Sequence, residues 1–449
     1  MSETYDLIVR GGTVMTPGGP REVDIAVAEG RIAALGRFDP GQAAETLDAA
    51  GLTVLPGVID SQVHFREPGL THKEDLESGT RAAALGGVTT IFEMPNTKPA
   101  TTDAEALRDK LDRAAGRAWV DHAFFMGATA ENVAEVAELE RLPGCAGMKV
   151  FMGSSTGSLL VEEDEPLAVL ARTSRRPFSV HAEDEARLRE RFELVRDGAE
   201  VSRHPEWRDP DAALLATRRI VNLCRRFGAR VHVLHVSTAD EMALLRHYKD
   251  VATVEVTPQH LTLTAPACYT DHGTHAQMNP PIRDAAHQAG LWHGVDQGVV
   301  DVLGSDHAPH TAEEKARPYP GSPSGIPGVQ TLLPLMLDHV AAGRLSLQHL
   351  VELTAHGPAR IFGTVRKGRI AAGYDADLVL VDLNAEREIA LGDLASKTGW
   401  SPFAGRRVRG WPVATVLRGR IIARDGEIQG EPTGTPVGFR AALPPAGEV

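Results

Sequence analysis

The chain of 449 residues is too long for one ordinary domain, but it could hold a single barrel of about 250 to 400 residues plus a small second domain. Hydrophobic residues make up 42% of the chain and charged residues 24%, which is typical of a soluble globular enzyme and excludes a disordered or fibrous protein. Lys and Arg number 47 against 60 Asp and Glu, and the resulting net charge of −13 disfavours a nucleic-acid-binding surface.

Cysteine usage and the N-terminus indicate the compartment. Cys145, Cys224 and Cys268 lie far apart and form no CxxC pair, so the sequence predicts neither a disulfide framework nor a thiolate metal site. The N-terminal residues include acidic side chains and no long apolar core, which argues against a signal peptide, and no apolar run approaches the length of a membrane span. We therefore expect a cytoplasmic protein that does not bind membranes.

Between about residues 57 and 365, β-branched apolar runs alternate with stretches rich in Ala, Leu, Arg and Glu that favour helices. Eight of these runs are predicted to be strands: 57–64, 88–95, 121–128, 145–152, 178–183, 230–237, 252–261 and 299–308. Eight strand-then-helix units predict an α/β fold, a (β/α)8 barrel over residues 56–367. In such barrels the chemistry takes place at the C-terminal ends of the strands, which is where most of the unusual polar residues fall.

The two flanks of the barrel differ from it in pattern. Residues 1–55 and 368–430 consist of short strand-like segments separated by glycine turns. Neither flank has enough apolar surface for a core of its own, so we expect both to combine into one small β-sandwich domain beside the barrel. The tail, residues 431–449, is rich in Pro and Gly and is expected to be loosely held.

The first predicted barrel strand lies within GVIDSQVHFREPG, residues 57–69. Alternate residues of a strand share a face, so Asp60, Gln62 and His64 are predicted to point into the barrel, and Arg66 follows just past the strand end. One histidine near a strand end is more often structural than a metal ligand. The later strands, however, offer matching groups at matching depths.

Lys149 lies in the apolar segment GMKVF of the fourth predicted strand. Burying an ammonium group among apolar neighbours is costly, so two alternatives follow. The side chain either reaches the solvent at the barrel rim, or it is a neutral amine that reacts with carbon dioxide to form a carbamate, an anionic bridging ligand. The residue alone leaves both alternatives open.

Histidines follow on the fifth and sixth predicted strands. His181 lies in FSVHAE, and His232 and His235 lie in RVHVLHVS. His232 and His235 are three positions apart, so within one strand they face opposite sides. We expect His235, which is nearer the C-terminal end, to enter the barrel and His232 to pack against the helices.

The eighth predicted strand ends in VLGSDHAPH, which contains Asp306, His307 and His310. A carboxylate at this place can ligate a metal and also accept a proton from an attacking water molecule, as a hydrolytic metal site requires. Capping of the following helix is a reasonable alternative for His307, but it explains the whole set poorly.

Taken together, these patterns resemble the amidohydrolase superfamily across nearly the entire chain. Four segments are similar to the dihydroorotases within it: HFREPG at 64–69, EMPNTKPAT at 93–101, MNPPIR at 278–283 and GSDHAPH at 304–310. The resemblance implies reversible ring closure of N-carbamoyl-L-aspartate to dihydroorotate, a step of pyrimidine synthesis, at a zinc centre with one or two ions per chain. An allantoinase-like or hydantoinase-like enzyme is the alternative.

The resemblance also implies roles for individual residues, metal ligands first. His64 matches a ligand of the first metal, Lys149 the bridging carbamate, His181 and His235 the ligands of the second metal, and Asp306 both a ligand and the catalytic base.

The matching substrate contacts form a second set. Arg66, Asn96 and His310 match a clamp for the substrate carboxylate, Asn279 matches a contact to the substrate ring, and the loop at 322–330 lies where the family closes over its substrate. An arginine fork suits a carboxylate, which dihydroorotate has and which allantoin and simple hydantoins lack. A scaffold ion pair of Arg66 with Glu67 or Asp60 is the alternative.

Gln62 departs from the family pattern, which has histidine there. An amide oxygen is a weaker zinc ligand than imidazole, so Gln62 is a weak or absent ligand. Three outcomes stay open: a binuclear site with Gln62 or water at this position, a single-metal site, or a non-catalytic homologue that supports a partner such as aspartate transcarbamoylase. Because all the other functional positions are present, we expect retained catalysis. Base rates among soluble oligomers favour a homodimer.

Overall fold

A computed structural model describes residues 5–154 and 159–440. Its strands, in chain order, are β1 (Tyr5–Arg10), β2 (Thr13–Thr16), β3 (Gly19–Glu22), β4 (Asp24–Ala28), β5 (Arg31–Gly36), β6 (Ala43–Asp48), β7 (Thr53–Pro56), β8 (Val58–Val63), β9 (Val88–Glu93), β10 (Asp121–Gly127), β11 (Cys145–Phe151), β12 (Phe178–His181), β13 (Val231–Val233), β14 (Ala252–Val256), β15 (Val302–Leu303), β16 (Leu378–Glu388), β17 (Arg407–Leu417), β18 (Arg420–Arg424) and β19 (Glu427–Ile428).

The helices in chain order are α1 (Leu76–Leu85), α2 (Ala104–Ala114), α3 (Val136–Leu139), α4 (Asp164–Thr173), α5 (Glu185–Arg191), α6 (His204–Trp207), α7 (Pro210–Phe227), α8 (Ala239–Leu245), α9 (Pro258–Thr262), α10 (Ala267–His272), α11 (Ala285–Asp296), α12 (Ala312–Lys315), α13 (Leu332–Ala341), α14 (Leu347–Val351) and α15 (Gly357–Phe362). None of the helices in the described ranges is long and apolar enough to cross a membrane.

Strands β8 to β15 form one parallel sheet in which each strand pairs with the next along the chain. The sheet closes through a bridge between Val63 and His307, and the backbone N–H of His64 donates to the carbonyl of His307 over 2.7 Å. Each of the eight predicted strand segments contains one of these strands. The predicted (β/α)8 barrel is confirmed.

Helix α7 shows how the local sequence builds the outer layer. Asp209 caps its first turn by accepting a hydrogen bond from the N–H of Ala212, Pro210 occupies the first helical position, and Gly228 ends the helix with a left-handed φ of 72°. Ala216 and Ile220, four residues apart, are buried on the side that faces the strands.

Alternation along the strands separates two apolar layers. On β10, Phe124 and Met126 belong to the large core between strands and helices, whereas Ala123 and Phe125 belong to a second core inside the barrel. Because both faces of a parallel strand are buried, such strands are apolar almost throughout.

The base of the barrel is closed by Phe362 and by residues of the tail. The ring of Phe439 lies 5.7 Å from that of Phe92, centroid to centroid, and Val437 and Phe439 are buried. The backbone N–H groups of His122 and Val437 donate to the carbonyls of Thr435 and His122, respectively. The expectation of a loosely held tail is therefore wrong for residues 431–440, because apolar side chains anchor this segment despite its Pro and Gly content. The rest of the predicted tail, 441–449, lies outside the described residues.

The two flanks combine beside the barrel as a sandwich. One sheet has the order β5-β4-β1-β6 and the other the order β19-β18-β17-β16-β7-β2-β3. A separate apolar core lies between them, with Leu7, Val9 and Ile25 from the N-terminal flank and Leu378 and Val416 from the C-terminal flank. The predicted β-sandwich built from both ends of the chain is confirmed.

Candidate metal centre and active site

One cavity lies at the C-terminal ends of the barrel strands. It is lined by Gln62, His64, Arg66, Asn96, Lys149, Phe151, His181, His235, Asn279, Asp306, Ala308, Ser324 and Gly325. All the site residues predicted from the sequence line this cavity except His310. Ser324 and Gly325 belong to the loop at 322–330, which therefore forms part of the cavity wall.

Three of the cavity residues have left-handed backbones. The φ angles are 65° for Arg66, 38° for His235 and 42° for Asp306. Residues with a Cβ rarely adopt this conformation, and such strain is concentrated at functional sites. In each case the chain turns sharply just after a strand, and this turn places the side chain at the cavity.

The expectation that His232 and His235 face opposite sides of their strand is wrong. Val231 and Val233 pack in the outer core, so His232 faces the interior of the barrel, where its Nδ1 lies 2.8 Å from Oγ1 of Thr253 and its ring lies 5.3 Å from that of Phe362. His232 therefore does not pack against the outer layer of helices, and among the described residues its one ring contact with a helix residue is with Phe362 at the base of the barrel. Strand β13 ends at Val233, so the alternation of faces does not extend to His235, and both histidines lie on the inner side.

The histidines form two close polar pairs in the cavity. Nδ1 of His181 lies 3.0 Å from Nε2 of His235, and Nε2 of His64 lies 3.2 Å from Oδ1 of Asp306. Two nitrogens bound to one zinc ion at about 2.0–2.1 Å would lie about 3.3 Å apart in tetrahedral geometry. The His181–His235 pair therefore fits a shared metal ion.

Burial keeps the three cavity histidines in the form that binds metal. It lowers the pKa of His64, His181 and His235 below the ordinary value, so all three are neutral near pH 7. Nδ1 of His64 lies 2.8 Å from Oδ1 of Asn96, so a proton on Nδ1 leaves the lone pair of Nε2 facing Asp306. Asn96, which was predicted as a substrate contact, thus also orients His64.

Lys149 is 1% exposed, so the alternative in which it reaches the solvent is wrong. Its Nζ has no hydrogen-bond partner within residues 5–154 and 159–440 and lies 4.7 Å from the ring centre of Phe151. Burial lowers the pKa of Lys149 to about 7, although the charges of Asp306 and Glu255 act in the opposite direction. A buried, unpaired amine of low pKa fits the predicted carbamate.

Gln62 is hydrogen-bonded to Asp306. Its Nε2 donates to Oδ1 of Asp306 over 2.9 Å, while its Oε1 is buried without a hydrogen-bond partner in the described part of the chain. Buried polar atoms are normally satisfied. The unpaired Gln62 Oε1 and Lys149 Nζ, together with neutral imidazoles and a carboxylate, form a donor set that suits a divalent ion such as zinc.

Arg66 is a buried cation in the cavity wall. Its Nε donates to the carbonyl of Pro309 over 3.1 Å, and no acidic side chain of the described residues lies within 4.0 Å of the guanidinium. The alternative of a scaffold ion pair is wrong: Glu67 pairs with Arg117 at 2.8 Å, and Oδ1 of Asp60 accepts backbone N–H groups. Burial lowers the pKa of Arg66 to about 10, so it is charged at neutral pH.

His310 lies behind Arg66 and does not line the cavity. Its Nε2 is 3.2 Å from Nη2 of Arg66 and 3.0 Å from the carbonyl of Ser324, and its Nδ1 is 3.0 Å from Nζ of Lys73. His310 thus contacts the cavity residues Arg66 and Ser324 from behind the wall. Nothing in the sequence around Lys73 indicated that it would contact a site residue.

Two more histidines organise the loops around the cavity. Nε2 of His204 lies 3.0 Å from Oδ1 of Asn279. Nδ1 of His307 accepts the backbone N–H groups of Gly328 and Val329. His307 therefore anchors the loop at 322–330, and it does not cap the following helix, whose cap is Thr311.

A second group of acidic residues, Asp121, Asp375 and Asp377, lies away from this cavity and close enough together to hold an ion. Nζ of Lys367 contacts all three carboxylates, at 2.7 Å for Asp377. The counter-charge is thus supplied by the protein itself, and this group links the barrel to the sandwich through Asp377.

Comparisons with known proteins agree with this geometry. The model of the amidohydrolase family matches residues 53–422. The dihydroorotase of Methanosarcina mazei is 34% identical over 95% of this chain and 96% of its own, and that of Halobacterium salinarum is 39% identical over 89% and 95%. An allantoinase of Escherichia coli K12 is 36% identical over 93% and 95%.

Among solved structures, the L-hydantoinase of Arthrobacter aurescens superimposes with a TM-score of 0.91 at 32% identity and covers 95% of this chain and 98% of its own. The barrel with its sandwich, the cavity at the strand ends and the near full-length match lead to one conclusion. The chain belongs to the amidohydrolase family.

Proposed function

We propose that this protein is a zinc-dependent dihydroorotase, which interconverts dihydroorotate and N-carbamoyl-L-aspartate in pyrimidine synthesis. The observation that supports this substrate is Arg66. A buried guanidinium without an acidic partner is costly, and the cost is removed when an anion binds to it. Dihydroorotate is a ring that carries a carboxylate, so Arg66 can bind the carboxylate while the scissile amide of the ring lies near Asp306.

The chemistry divides among the cavity residues. His64, Lys149 as its carbamate, His181, His235 and Asp306 would hold the metal, which supplies an electrophile for the amide carbonyl and lowers the pKa of water. Asp306 acts as the general base that takes the proton from the attacking water and later gives it to the leaving nitrogen.

Other residues bind the substrate. Arg66 pairs with the carboxylate, and His310 supports the guanidinium from behind at 3.2 Å. Asn96 and Asn279 both line the cavity and are proposed to contact the carboxylate and the ring, respectively. The wall formed by Ser324 and Gly325 excludes water from the bound ring.

Ring opening creates a second carboxylate, which is ionised near neutrality and releases a proton. Closure therefore takes up a proton and is favoured at low pH, whereas hydrolysis is favoured at high pH. Asp306 can serve both hydrolysis and ring closure, because it accepts a proton from water in one direction and donates a proton in the other.

An allantoinase or hydantoinase is the second candidate, since relatives with those names match the chain almost as well. Those substrates have no carboxylate for Arg66. The test is kcat/KM of zinc-loaded protein for dihydroorotate, allantoin and hydantoin. Much faster opening of hydantoin or allantoin than of dihydroorotate would rule out the proposed substrate.

Further proposals concern stoichiometry and assembly. We propose one or two zinc ions per chain, a homodimer and a cytoplasmic location. Association with aspartate transcarbamoylase is proposed only for the non-catalytic alternative, whose basis in the sequence is Gln62. Metal analysis and size-exclusion chromatography with light scattering test the first two proposals.

A further inference from the structure

Glu183 lies directly behind the metal-site histidine His181, on the side away from His235. Its Oε2 is 2.8 Å from Nε2 of His181, while Nδ1 of the same ring faces Nε2 of His235 at 3.0 Å. The carboxylate follows the end of strand β12 by two residues and has 0% exposure. The mechanism proposed above does not use it.

Arg208 holds Glu183 in this position. Its Nε donates to both carboxylate oxygens over 3.1 Å, and its Nη2 donates to the carbonyl of Ser154 over 2.8 Å. Arg208 is 2% exposed. The backbone of Arg208, just after helix α6, is held by Nη1 of Arg283, which donates to the Arg208 carbonyl. Arg208 thus balances the charge of the buried Glu183 carboxylate, and the Glu183 oxygen that faces His181 can still accept a hydrogen bond from it.

This arrangement determines which ring nitrogen of His181 carries the proton. An ionised carboxylate only accepts hydrogen bonds, so the neutral ring must place its proton on Nε2 and its lone pair on Nδ1. Nδ1 is the nitrogen that faces His235. By contrast, Nδ1 of His235 has no hydrogen-bond partner among the described residues, so nothing comparable fixes the second ring.

We propose that Glu183, held by Arg208, is a positioning residue that commits Nδ1 of His181 to the metal. The inference rests on the proposed metal-dependent function. It adds that the affinity of the His181–His235 metal position depends on a carboxylate–arginine pair that touches neither metal nor substrate. Hydrogen-bond partners of this kind change metal affinity by about 10- to 100-fold when they are replaced.

The test measures zinc binding to metal-free protein by competition with a chromophoric chelator. In Glu183→Gln the amide can present its NH2 group to His181 and the charge is lost, so we expect the dissociation constant of the more tightly held zinc to rise about 10- to 100-fold. Because this change leaves Arg208 buried without a counter-charge, the variant could lose stability as well. The double variant Glu183→Gln, Arg208→Met removes both charges and should restore the thermal midpoint but not the zinc affinity.

Glu140 provides the matched control. It is also 0% exposed, and its Oε1 accepts the backbone N–H groups of Arg175 and Arg176, far from the cavity. Glu140→Gln should lower the thermal midpoint of the metal-free protein without changing zinc affinity. If the folded double variant binds zinc as tightly as the wild type, the positioning role is wrong. If the wild type itself binds no zinc, the proposed metal-dependent function fails instead.

Discussion

Gln62 and Asp306 lie on adjoining sides of the barrel closure and are joined by a hydrogen bond of 2.9 Å from Nε2 to Oδ1. The same oxygen lies 3.2 Å from Nε2 of His64. An amide nitrogen that donates to a carboxylate has no lone pair to offer a metal ion. Gln62 therefore orients Asp306 through its amide nitrogen, while its amide oxygen Oε1 is unpaired in the described part of the chain.

This contact leads to a prediction about metal content. Gln62→His adds an imidazole beside His64, so bound zinc should rise toward two ions per chain, while activity stays within about an order of magnitude because one zinc ion can activate water. Metal analysis by mass spectrometry after dialysis, together with chelator sensitivity, measures the change.

Gln62→Leu is the control for this prediction. Leucine has a similar size but neither donates to Asp306 nor binds metal, so zinc content should stay at the wild-type value while turnover falls. If Gln62→His neither binds more zinc nor resists chelation better, position 62 does not face the metal site.

Arg66→Ala should lower kcat/KM for dihydroorotate by about 2–5 kcal/mol, or about 30- to 4,000-fold, because a desolvated charge pair with the substrate is lost. Arg66→Lys should recover only part of the loss, since a point charge cannot copy the two-pronged contact of guanidinium with carboxylate.

Dihydrouracil is the matched substrate, because it has the same ring without the carboxylate. Its opening by Arg66→Ala should equal its opening by the wild type. An unchanged kcat/KM for dihydroorotate would remove Arg66 from substrate binding.

Asp306→Ala separates an enzyme from a binding subunit. If the chain is catalytic, this change should abolish turnover, and chelation of the wild type should abolish it reversibly, with recovery on addition of zinc. A wild-type protein with little metal and no turnover that co-migrates with aspartate transcarbamoylase would instead establish the non-catalytic alternative.

Much of the barrel and the placement of its polar residues could be predicted because both depend on local periodicity. Alternation along β8 placed Gln62 and His64 at the cavity, where the structure has them. The strand itself is less regular than the prediction assumed. Its pairing with β9 shifts between Asp60 and Val63, and the side chain of Ser61 also reaches the barrel interior, at Glu255. Alternation failed for His232, because strand β13 has only three residues and the chain turns before His235.

The supporting contacts could not be predicted, because they join distant parts of the chain. His310 has the right residue type for a clamp, but its distance from the cavity depends on Arg66 and Lys73, which approach it from another segment. Glu183 is the last residue of the recognisable FSVHAE segment, yet its role requires Arg208, twenty-five residues further on. Sequence spacing contains no information on such pairings.

The tail was misjudged for the same reason, and its anchoring can be measured. Phe439→Ala removes a ring packed against Phe92 and Arg176 at the base of the barrel, so we expect a loss of about 3–5 kcal/mol in the free energy of unfolding. Leu391→Ala, at a side chain that is 49% exposed, should change it by less than about 0.5 kcal/mol. Equal effects of the two changes in urea unfolding would show that the tail is not anchored.

Lys149 and Lys315 provide a matched pair for the proposed carbamate. Burial lowers the pKa of both amines to about 7. Nζ of Lys315 donates to the carbonyls of Gln277, Pro323 and Gly325 at 2.9–3.1 Å, so three acceptors hold it in its ammonium form, whereas Nζ of Lys149 has no partner within the described residues. Of these two amines, Lys149 is the one available to carbon dioxide.

Carbamate formation requires the neutral amine, whose fraction rises with pH through the pKa. With metal-free protein at constant dissolved 13CO2, the carbamate signal in 13C NMR should therefore grow as the pH increases through about 7. An ordinary lysine, with a pKa of about 10.4, would be almost entirely protonated there. Lys149→Met should abolish the signal and Lys315→Met should leave it unchanged. A signal that persists in Lys149→Met would place the carbamate elsewhere, and Lys149 could then not be the bridging ligand of this site.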